Sequence, residues 1–524
     1  MKKLIGGVAF LLAMQLNAQN QVWNPDNGNG TFTNPIMWGD CPDPDIIRVG
    51  DDFYMVSTSM HYVPGCPIVK SKDLINWELA GYAVESYDED PKYNLDGGNL
   101  YLNGSWAATI RHHKNKFYVG FCTPYGWGRE TGHYSMCIAD KIEGPWERVQ
   151  FPEYLYDPGL LFDDDGKIYV VHGQHHLYVT ELASDARSVK GENKLIWDKG
   201  ILNPNTQQGK AGMEGSHVYK VNGMYYILCP AGGTEGWQVC LRSESIYGPY
   251  ESKVIMNDFS SYPPNGMHQG GMVQLRNGDW WFMIMQDRGP IGRVPNLVPV
   301  QWIDGWPMLG DQGKDLITYP KPAVKKQYPI ISPATTDEFA GKKLGLQWQW
   351  NHNPDPDKWS LTDRKGYMRL KASKATSLKD ARNTLTQRVQ GPCSEGSVEI
   401  DLTGLRNGNV DGFGIFEFPY AFVGVRKENN RNELIMCNDG AIIDSLMLKN
   451  ENKIWVRVRV TDKDFTARFY YSADGHAYHP IGNVLSMGLG LPWTANRFAL
   501  FNYSLTDEGV NGYADFNWFR FTNK

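Results

Sequence analysis

Three acidic residues stand in short turns beside proline or glycine, each just ahead of a strand-like run. Asp43 lies in "CPDPDIIRV", Asp157 in "YDPGLLF" and Glu214 in "MEGSHVYKV". Asp and Pro are ordinary turn residues, so each carboxylate alone is compatible with a surface loop. A second interpretation is that rigid turns hold the carboxylates for proton transfer, with one group donating a proton and another accepting one.

A repeated phrase in the first part of the chain favours the second interpretation. The copies contain "VGDDFYMVSTS", "HKNKFYVGFCT", "DDDGKIYVVHG", "VNGMYYILCPAGG" and "LRNGDWWFMIM", each a turn followed by an aromatic and β-branched strand. Such repetition of small sheets predicts a five-bladed β-propeller over residues 30–320. A solenoid is the alternative, but short strands and a compact total favour a closed ring. The three acids precede the first strands of copies one, three and four, at places we take as equivalent, so they should converge at one mouth.

The rest of the chain predicts a second β domain. Residues 321–336 are rich in proline and lack the repeated phrase, which is typical of a linker. Alternating strands such as "GSVEIDL", "WVRVRV" and "FTARFYYS" then recur over 337–524. They indicate a β-sandwich of the jelly-roll type, which makes the whole chain all-β. Phe416 and Tyr420 are more simply core residues than an exposed sugar-binding strip.

The N-terminal residues 1–18, "MKKLIGGVAFLLAMQLNA", predict a secretory signal peptide and hence a periplasmic or secreted protein. No cysteine follows the apolar run as a lipid anchor would need, and no later run is long enough to span a membrane. The formal net charge is -6, and no basic cluster occurs. These features argue against a membrane anchor and against nucleic acid as a partner.

The eight cysteines are widely spread. Cys229 with Cys240, and Cys122 with Cys137, are candidates for disulfides across hairpins, which export would permit. The segment "HGQHH" at 172–176 suggests a metal site, but no carboxylate or cysteine stands at ligand spacing, and no CxxC or HExxH pattern occurs. We therefore predict no zinc centre and no required cofactor.

Converging carboxylates suit glycoside hydrolysis, in which one acid stays protonated and another stays ionised. The quoted motifs, with "GSWAATIRHHKNKFYV" and "IGRVPNLVPVQWIDGWPML", resemble in order those of glycoside hydrolase family 43. This family has five-bladed propellers and includes β-xylosidases, α-L-arabinofuranosidases and arabinanases. The resemblance covers about Asn34 to Leu309, and the C-terminal part is similar to the sandwich that accompanies many members.

The resemblance implies a role for each acid. Asp43 matches the general base, Glu214 the general acid, and Asp157 the third carboxylate, which orients the acid. The implied reaction is a single displacement with inversion.

The resemblance also implies other site residues. His268 matches an axial histidine beside water or a structural calcium ion, and Arg293, with Arg288 nearby, matches an arginine that reaches the sugar or the carboxylates. Trp106 matches a wall of the terminal subsite. Met60 and His61 stand where many xylosidases of the family carry a different sequence. Each has a plainer alternative: a core histidine, a packing tryptophan, structural ion pairs.

The sequence therefore predicts an exported, exo-acting hydrolase that releases terminal α-L-arabinofuranosyl or β-D-xylosyl units from plant cell-wall glycans. The Met60–His61 segment resembles that of members associated with arabinofuranose side chains. A β-D-xylosidase acting on xylo-oligosaccharides and a non-catalytic carbohydrate-binding propeller remain alternatives. The expected partners are arabinose- or xylose-containing oligosaccharides and polysaccharides.

Overall fold

The computed structural model describes residues 23–126, 130–449 and 451–523. The predicted signal peptide, residues 1–18, lies outside them. The described chain forms two compact units. One contains residues 25–93 and 100–331, and the other contains residues 94–99 and 332–523 together with residues 23–24. We call them the propeller and the sandwich.

The propeller has five blades, each a four-stranded antiparallel sheet of consecutive strands. Two further short strands are β1 (Thr31–Thr33) and β4 (Tyr62–Val63). Blade 1 is β2 (Asp45–Val49), β3 (Asp52–Val56), β5 (Gly65–Ser71) and β6 (Trp77–Val84). Blade 2 is β7 (Trp106–His113), β8 (Lys116–Pro124), β9 (Gly132–Ala139) and β10 (Glu147–Phe151). Blade 3 is β11 (Gly159–Phe162), β12 (Ile168–His172), β13 (Leu177–Leu182) and β14 (Lys194–Trp197).

The last two blades follow a small hairpin of β15 (Ile201–Leu202) and β16 (Lys210–Ala211). Blade 4 is β17 (His217–Val221), β18 (Met224–Ala231), β19 (Trp237–Ser243) and β20 (Glu251–Met256). Blade 5 is β21 (Met267–Gln274), β22 (Trp280–Asp287), β23 (Arg293–Ile303) and β24 (Trp306–Leu309). Short 3₁₀ helices cover Pro91–Asn94, Gly233–Glu235 and Gly289–Ile291.

The ring closes between blades 5 and 1 along a seam made by the ends of the propeller segment. β1 pairs antiparallel with β25 (Thr318–Pro320). The chain from Asn34 to Cys41 then runs along β23, because Ile36 N–H donates to the Pro295 carbonyl and Cys41 N–H to the Arg293 carbonyl, both at 2.9 Å. Every blade is thus complete in itself, and the seam alone joins the two ends.

Apolar side chains fill the spaces between neighbouring blades. The largest cluster packs strands of blades 1, 4 and 5, and includes the fully buried Phe32, Met55 and Phe282. A second cluster joins blades 3 and 4 around Val171 and Ile227. Because each blade buries both faces, its strands are almost continuously apolar, as in "KFYVGFCTP" of β8.

The sandwich consists of two sheets whose strands are mostly antiparallel. One has the order β35-β34-β33-β32-β40-β30-β26, with β29 parallel to β40, and the other has the order β27-β28-β41-β31-β36-β37-β38, with β39 on β37. Strands β26 to β32 cover Gln349–Asn351, Trp359–Ser360, Met368–Lys371, Ser373–Lys374, Leu385–Arg388, Cys393–Asp401 and Asn409–Phe416. Strands β33 to β37 cover Ala421–Glu428, Arg431–Asn438, Ala441–Met447, Lys453–Thr461 and Thr466–Ser472, and β38 to β41 cover His479–Pro480, Leu485–Ser486, Arg497–Ser504 and Tyr513–Thr522. Two 3₁₀ helices cover Pro356–Lys358 and Leu378–Asp380.

The predicted fold class is confirmed: the chain is all-β, with a five-bladed propeller followed by a sandwich. Phe416 and Tyr420 are buried, as predicted for core residues. Among the described residues, no helix is long and apolar enough to cross a membrane.

The predicted disulfides are wrong, since none of the eight cysteines is in a disulfide. Cys229 pairs in register with Val239 and Cys240 with Leu228, so the two side chains are offset across the hairpin. Cys122 likewise stands opposite Tyr134, and Cys137 opposite Val119. The offset is one residue in the first pair and three in the second. Residues offset by an odd number of positions in a β-ladder point to opposite faces of the sheet, which keeps these thiols apart.

Candidate active site

One backbone feature recurs at the start of every blade. A residue with positive φ, which we call the bend residue, stands at φ 51°, 25°, 48°, 59° and 54° in blades 1 to 5. In blades 2 and 5 it coincides with a shift in strand register. Asp is one of the residue types that tolerate this left-handed region, and Gly adopts it freely. The bend residues are Asp43, Ala107, Asp157, Gly215 and Gln269.

The bend corrects one sequence prediction. Asp43 and Asp157 are bend residues, as equivalent places require, but in blade 4 the bend residue is Gly215. Glu214 precedes the bend by one position, and its equivalents in other blades are Trp106, Tyr156 and His268. The three acids therefore occupy two successive positions of the repeat, and the position before the bend also supplies two other predicted site residues, Trp106 and His268.

Asp43 is buried and held by a cation and a hydroxyl. Arg293 Nη1 donates to its Oδ1 at 2.7 Å, and Thr58 Oγ1 donates to its Oδ2 at 2.6 Å. An ionised carboxylate can only accept, so this pattern suits the charged form. Burial lowers the pKa of Arg293, but Asp43 and further carboxylates at Asp40, Asp287 and Asp157 outweigh it and raise that pKa.

Asp157 is also buried and contacts the segment that carries Glu214. Gly215 N–H donates to Asp157 Oδ2 at 3.2 Å. Glu214 itself is half-buried, and its Oε2 accepts hydrogen bonds from two neutral groups, the Gln174 amide at 2.7 Å and the Tyr156 hydroxyl at 3.3 Å. Asp43 thus has a cationic partner, whereas these two donors to Glu214 carry no charge.

The thiol of Cys122 shows that two of the acids share one end of the propeller. Burial raises its pKa well above the ordinary value, and the charges of both Asp157 and Asp43 raise it further. Asp157 N–H also donates to Cys122 Sγ at 3.4 Å. Residues 114 positions apart in sequence, Asp43 and Asp157, therefore act on a single buried group.

An apolar wall lies beside the acids. Met60, Trp106, Cys122 and Tyr156 form one buried cluster, against which Tyr154 packs. Trp106 Nε1 donates to the Leu102 carbonyl at 2.5 Å, which fixes the indole plane. The structure therefore brings Met60 and Trp106 together and adds Tyr156, whose hydroxyl reaches Glu214.

His61 is placed differently from Met60. Its ring is fully buried, its Nδ1 accepts from Leu102 N–H at 3.3 Å, and it packs against Tyr62 and Tyr101. The wall beside Glu214 contains Met60 and not His61.

The predicted axial histidine and the second arginine stand on the blade 5 side. His268 Nε2 lies 3.2 Å from Asp287 Oδ2. Burial raises the pKa of Asp287, but the hydrogen bond and charge of His268, with the charge of Arg293, together outweigh burial and lower that pKa. Arg288 lies over the rings of Trp38 and Tyr262, at 5.2 and 4.5 Å from their centroids, and donates to the Ser261 carbonyl at 3.3 Å.

A structural calcium ion beside His268 stays a prediction from the family resemblance. Among the residues that the structure describes, no group of three or more His, Cys, Asp and Glu side chains could hold a metal ion. His268 contributes one buried nitrogen, Nδ1, without a hydrogen-bond partner in the described chain. The mechanism below uses no metal ion.

Asp45, two residues after Asp43, is the residue of this motif whose role the sequence did not reveal. It is fully buried, and its Oδ2 accepts from Thr109 Oγ1 at 2.7 Å, Ile110 N–H at 2.9 Å and Arg111 Nη1 at 2.6 Å. Burial raises its pKa, but Arg111 and His217 outweigh burial and hold it far below the usual range. Asp45 therefore ties the inner strands of neighbouring blades together beneath the site.

Gln174 and Tyr156 are the other residues that sequence reasoning missed. Gln174 belongs to the "HGQHH" segment, in which the sequence pattern suggests only a metal site. A signal for Tyr156 was its place directly before Asp157, although only the backbone shows that it is level with Trp106 and Glu214. No comparable signal exists for Gln174, because its contact joins loops of different blades.

Comparisons with known proteins agree with this geometry. Residues 32–307 match the family model "Glycosyl hydrolases family 43", and residues 336–522 match "Beta xylosidase C-terminal Concanavalin A-like domain". A beta-xylosidase of Formosa agariphila is 31% identical over 96% of this chain and 92% of its own. The non-reducing end alpha-L-arabinofuranosidase BoGH43B of Bacteroides ovatus is 34% identical over 66% of this chain and 65% of its own.

A solved structure shares the fold of both units. It is a family 43 glycoside hydrolase engineered at its active site to display endo-xylanase and exo-arabinofuranosidase activity. It superposes with a TM-score of 0.84 at 28% identity, over 94% of this chain and 99% of that one. The repeated blades, the three acids at one end of the ring and the family match over more than half of the sequence lead to one assignment. This chain belongs to glycosyl hydrolases family 43.

Proposed function

We propose that this protein is an exo-acting glycosidase that removes terminal α-L-arabinofuranosyl units from plant cell-wall glycans with inversion at the anomeric carbon. The observation that carries the proposal is the division between Asp43, bonded to a cation, and Glu214, bonded to neutral donors. The cation favours the ionised form that a base needs, whereas the two neutral donors orient the Glu214 carboxyl without supplying a compensating charge.

In the proposed reaction, Asp43 takes a proton from the attacking water while Glu214 gives its proton to the departing glycosidic oxygen. Asp157 acts as a positioning residue, because it holds the amide of Gly215, next to Glu214. The wall of Met60, Trp106 and Tyr156 packs against the apolar face of the terminal sugar. Both proton transfers take place in one displacement, so the configuration inverts.

A β-D-xylosyl unit is the second candidate for the terminal sugar. It is favoured by the similarity to a beta-xylosidase over nearly the whole chain, whereas the arabinofuranosyl proposal is supported by the Met60 segment and the similarity to BoGH43B. Aryl α-L-arabinofuranoside and aryl β-D-xyloside, assayed side by side, separate the two. A chain that releases neither sugar would favour the non-catalytic binding propeller.

The sharpest test of the roles uses Glu214→Gln, which removes the acidic proton and keeps the shape. An aryl leaving group with a low pKa departs with little protonic help, whereas a sugar alcohol needs the proton in the transition state. The variant should lose about 10²- to 10⁴-fold in kcat/KM on an arabinose- or xylose-capped oligosaccharide and far less on an aryl glycoside. Glu235→Gln, an exposed residue of the same blade, is the matched control and should behave as wild type.

Two product measurements complete the test. Proton NMR of the first-formed sugar should show the inverted anomer, and digestion of a capped oligosaccharide should release only the terminal monosaccharide. Equal losses on both leaving groups would contradict the role of Glu214. A retained anomer would contradict the single displacement.

We also propose that the protein is exported to the periplasm or beyond, and this rests on the signal-like residues 1–18 alone. Cell fractionation and N-terminal sequencing test it. The expected mature chain begins at Gln19, and a full-length chain in the cytoplasm would overturn the proposal.

A further inference from the structure

The loop between β12 and β13 approaches the turn that carries Glu214. His175 N–H donates to the Met213 carbonyl at 2.9 Å, and the His175 ring packs so closely on Gly212 that a Cβ there would lie 1.8 Å from Nδ1. At the loop's other end, Gly173 N–H donates to the Tyr156 carbonyl at 2.8 Å. The loop is therefore fastened to the two segments that present Tyr156 and Glu214.

The fastening brings one amide onto the carboxyl. Gln174 Nε2 donates to Glu214 Oε2 at 2.7 Å, and the same oxygen accepts from Tyr156 at 3.3 Å. Gln174 is half-buried, and His176 N–H donates back to its carbonyl at 2.7 Å. Gly173, at φ 119°, permits the turn, because a Cβ there would lie 2.2 Å from the His176 carbonyl oxygen.

We propose that Gln174 and Tyr156 are positioning residues that fix the carboxyl of Glu214 and set the pH at which it loses its proton. The inference rests on the proposed role of Glu214 as general acid. Both hydrogen bonds reach the same oxygen, Oε2, from different loops, and together they restrict rotation of the Glu214 carboxyl. Because donated hydrogen bonds stabilise a carboxylate more than a carboxylic acid, the pair also prevents Glu214 from becoming too weak an acid.

The test is the pH profile of kcat/KM for Gln174→Leu, whose side chain has nearly the same size and no donor. The alkaline limb should move upward by about one pH unit, and the rate on a sugar leaving group should fall about 10- to 100-fold. The acidic limb, which reports Asp43, should stay in place, and an aryl substrate should be much less affected. Tyr156→Phe should move the same limb less, because its bond is longer.

Other titratable groups around Glu214 are unchanged in these variants, apart from the Tyr156 hydroxyl in Tyr156→Phe. Tyr156 contacts Glu214 itself, whereas Asp157, His175 and Cys229 contact its chain neighbours Gly215, Gly212 and Ser216. The charge of Arg293 acts on Asp157. The matched control is Gln208→Leu, which removes an exposed glutamine from the hairpin of β15 and β16 and should give the wild-type profile.

A uniform loss of rate without movement of the alkaline limb would overturn the inference, since a loop that served folding alone would lower the amplitude only. Should Gln174→Leu not fold, Gln174→Asn withdraws the amide by one methylene and must show the same limb movement. A different result would contradict the proposed function. In that case Glu214→Gln would lose the same fraction of its kcat/KM on substrates with aryl and with sugar leaving groups. Leaving-group dependence in Glu214→Gln with an unmoved limb in both Gln174 variants would contradict this inference alone.

Discussion

The propeller axis and the interior of the sandwich both bury a carboxylate completely, but they treat it in opposite ways. Asp45 of the propeller accepts bonds from a guanidinium, a hydroxyl and two backbone amides. Asp411 of the sandwich accepts one bond at Oδ1, from Val425 N–H at 3.2 Å, and its Oδ2 has no hydrogen-bond partner in the described chain. The two carboxylates are equally buried, but their hydrogen-bond partners differ.

The difference appears in the two pKa values. Burial raises the pKa of Asp411 to about 7, and the few backbone donors do not offset it. At Asp45 the desolvation is overcome by Arg111 and His217, so the carboxylate is ionised at any ordinary pH. Burial alone therefore favours the neutral acid, and a cation is what keeps a buried carboxylate charged. The propeller supplies such a cation to Asp43 as well, which is what a base requires.

The largest expected effect concerns activity at Asp43. Asp43→Asn should lower kcat/KM by about 10²- to 10⁴-fold on aryl and sugar leaving groups alike, because water activation is needed in either case. The thermal transition of the propeller should be kept, since three other carboxylates still act on Arg293. Steady-state kinetics with calorimetry on the same preparation measure both. A variant that kept full activity would return Asp43 to the role of a turn residue.

Asp45→Asn should show the reverse pattern, with loss of stability as its primary effect. Arg111 is 12% exposed, and the charges that raise its pKa come from Asp45 and Tyr219, so the change leaves a largely buried guanidinium without its carboxylate. Breaking a buried pair from one side costs about 3–5 kcal/mol. Chemical denaturation of the full chain should show this loss in the propeller transition. Unchanged stability would mean that Asp45 does not tie the blades together.

Asp411→Asn tests the sandwich side of the comparison. The folded-state pKa of about 7 lies above the ordinary value of 3.8, so the folded state binds the extra proton. Stability from this group is complete below the lower value and is lost as pH rises through the higher one. Near pH 8 the asparagine variant should be more stable than wild type by up to about 4 kcal/mol, and near pH 4 the two should agree. Calorimetry of the sandwich transition at both pH values measures the difference, and parallel curves would contradict the raised pKa.

The smallest effect is expected at Asp51, in the same blade as Asp45. Its carboxylate pairs with Arg276, but both side chains are half-exposed. Solvent screens such pairs, so Asp51→Asn should leave the thermal midpoint unchanged within error. The variant also serves as the control for Asp45→Asn. A clear drop in midpoint would show that exposure does not separate the two pairs as argued here.

The fold and the candidate acids could be predicted from the sequence because both depend on local sequence patterns. The strand phrase repeats five times, and Asp43 and Asp157 stand in Asp-Pro turns that fix their phase. Glu214 was also predicted as a site residue, but its position in the repeat was predicted one residue out of place, because only the backbone shows that Gly215 takes the bend. The prediction of the two disulfides failed for a related reason. A shift of one residue in strand register moves a side chain to the other face of the sheet.

Contacts between distant segments were beyond the sequence. Gln174 meets Glu214 because two loops are fastened by backbone bonds of His175 and Gly173, and no side-chain pattern encodes those bonds. Arg111 and Asp45 are 66 positions apart and meet only once the ring is closed. The pKa of a buried group depends on such contacts between distant residues, so it could not be predicted from the sequence.

The seam between blades 5 and 1 also holds the pairing of Asp43 with Arg293. Asp40 Oδ1 accepts from Arg293 N–H at 2.9 Å, and Cys41 N–H donates to the Arg293 carbonyl, so the strand pairing that closes the ring sets the distance between the base and its arginine. Opening of the ring at this joint would therefore separate the proposed base from Arg293 while each blade kept its own sheet. We expect heat inactivation to precede heat unfolding for this reason.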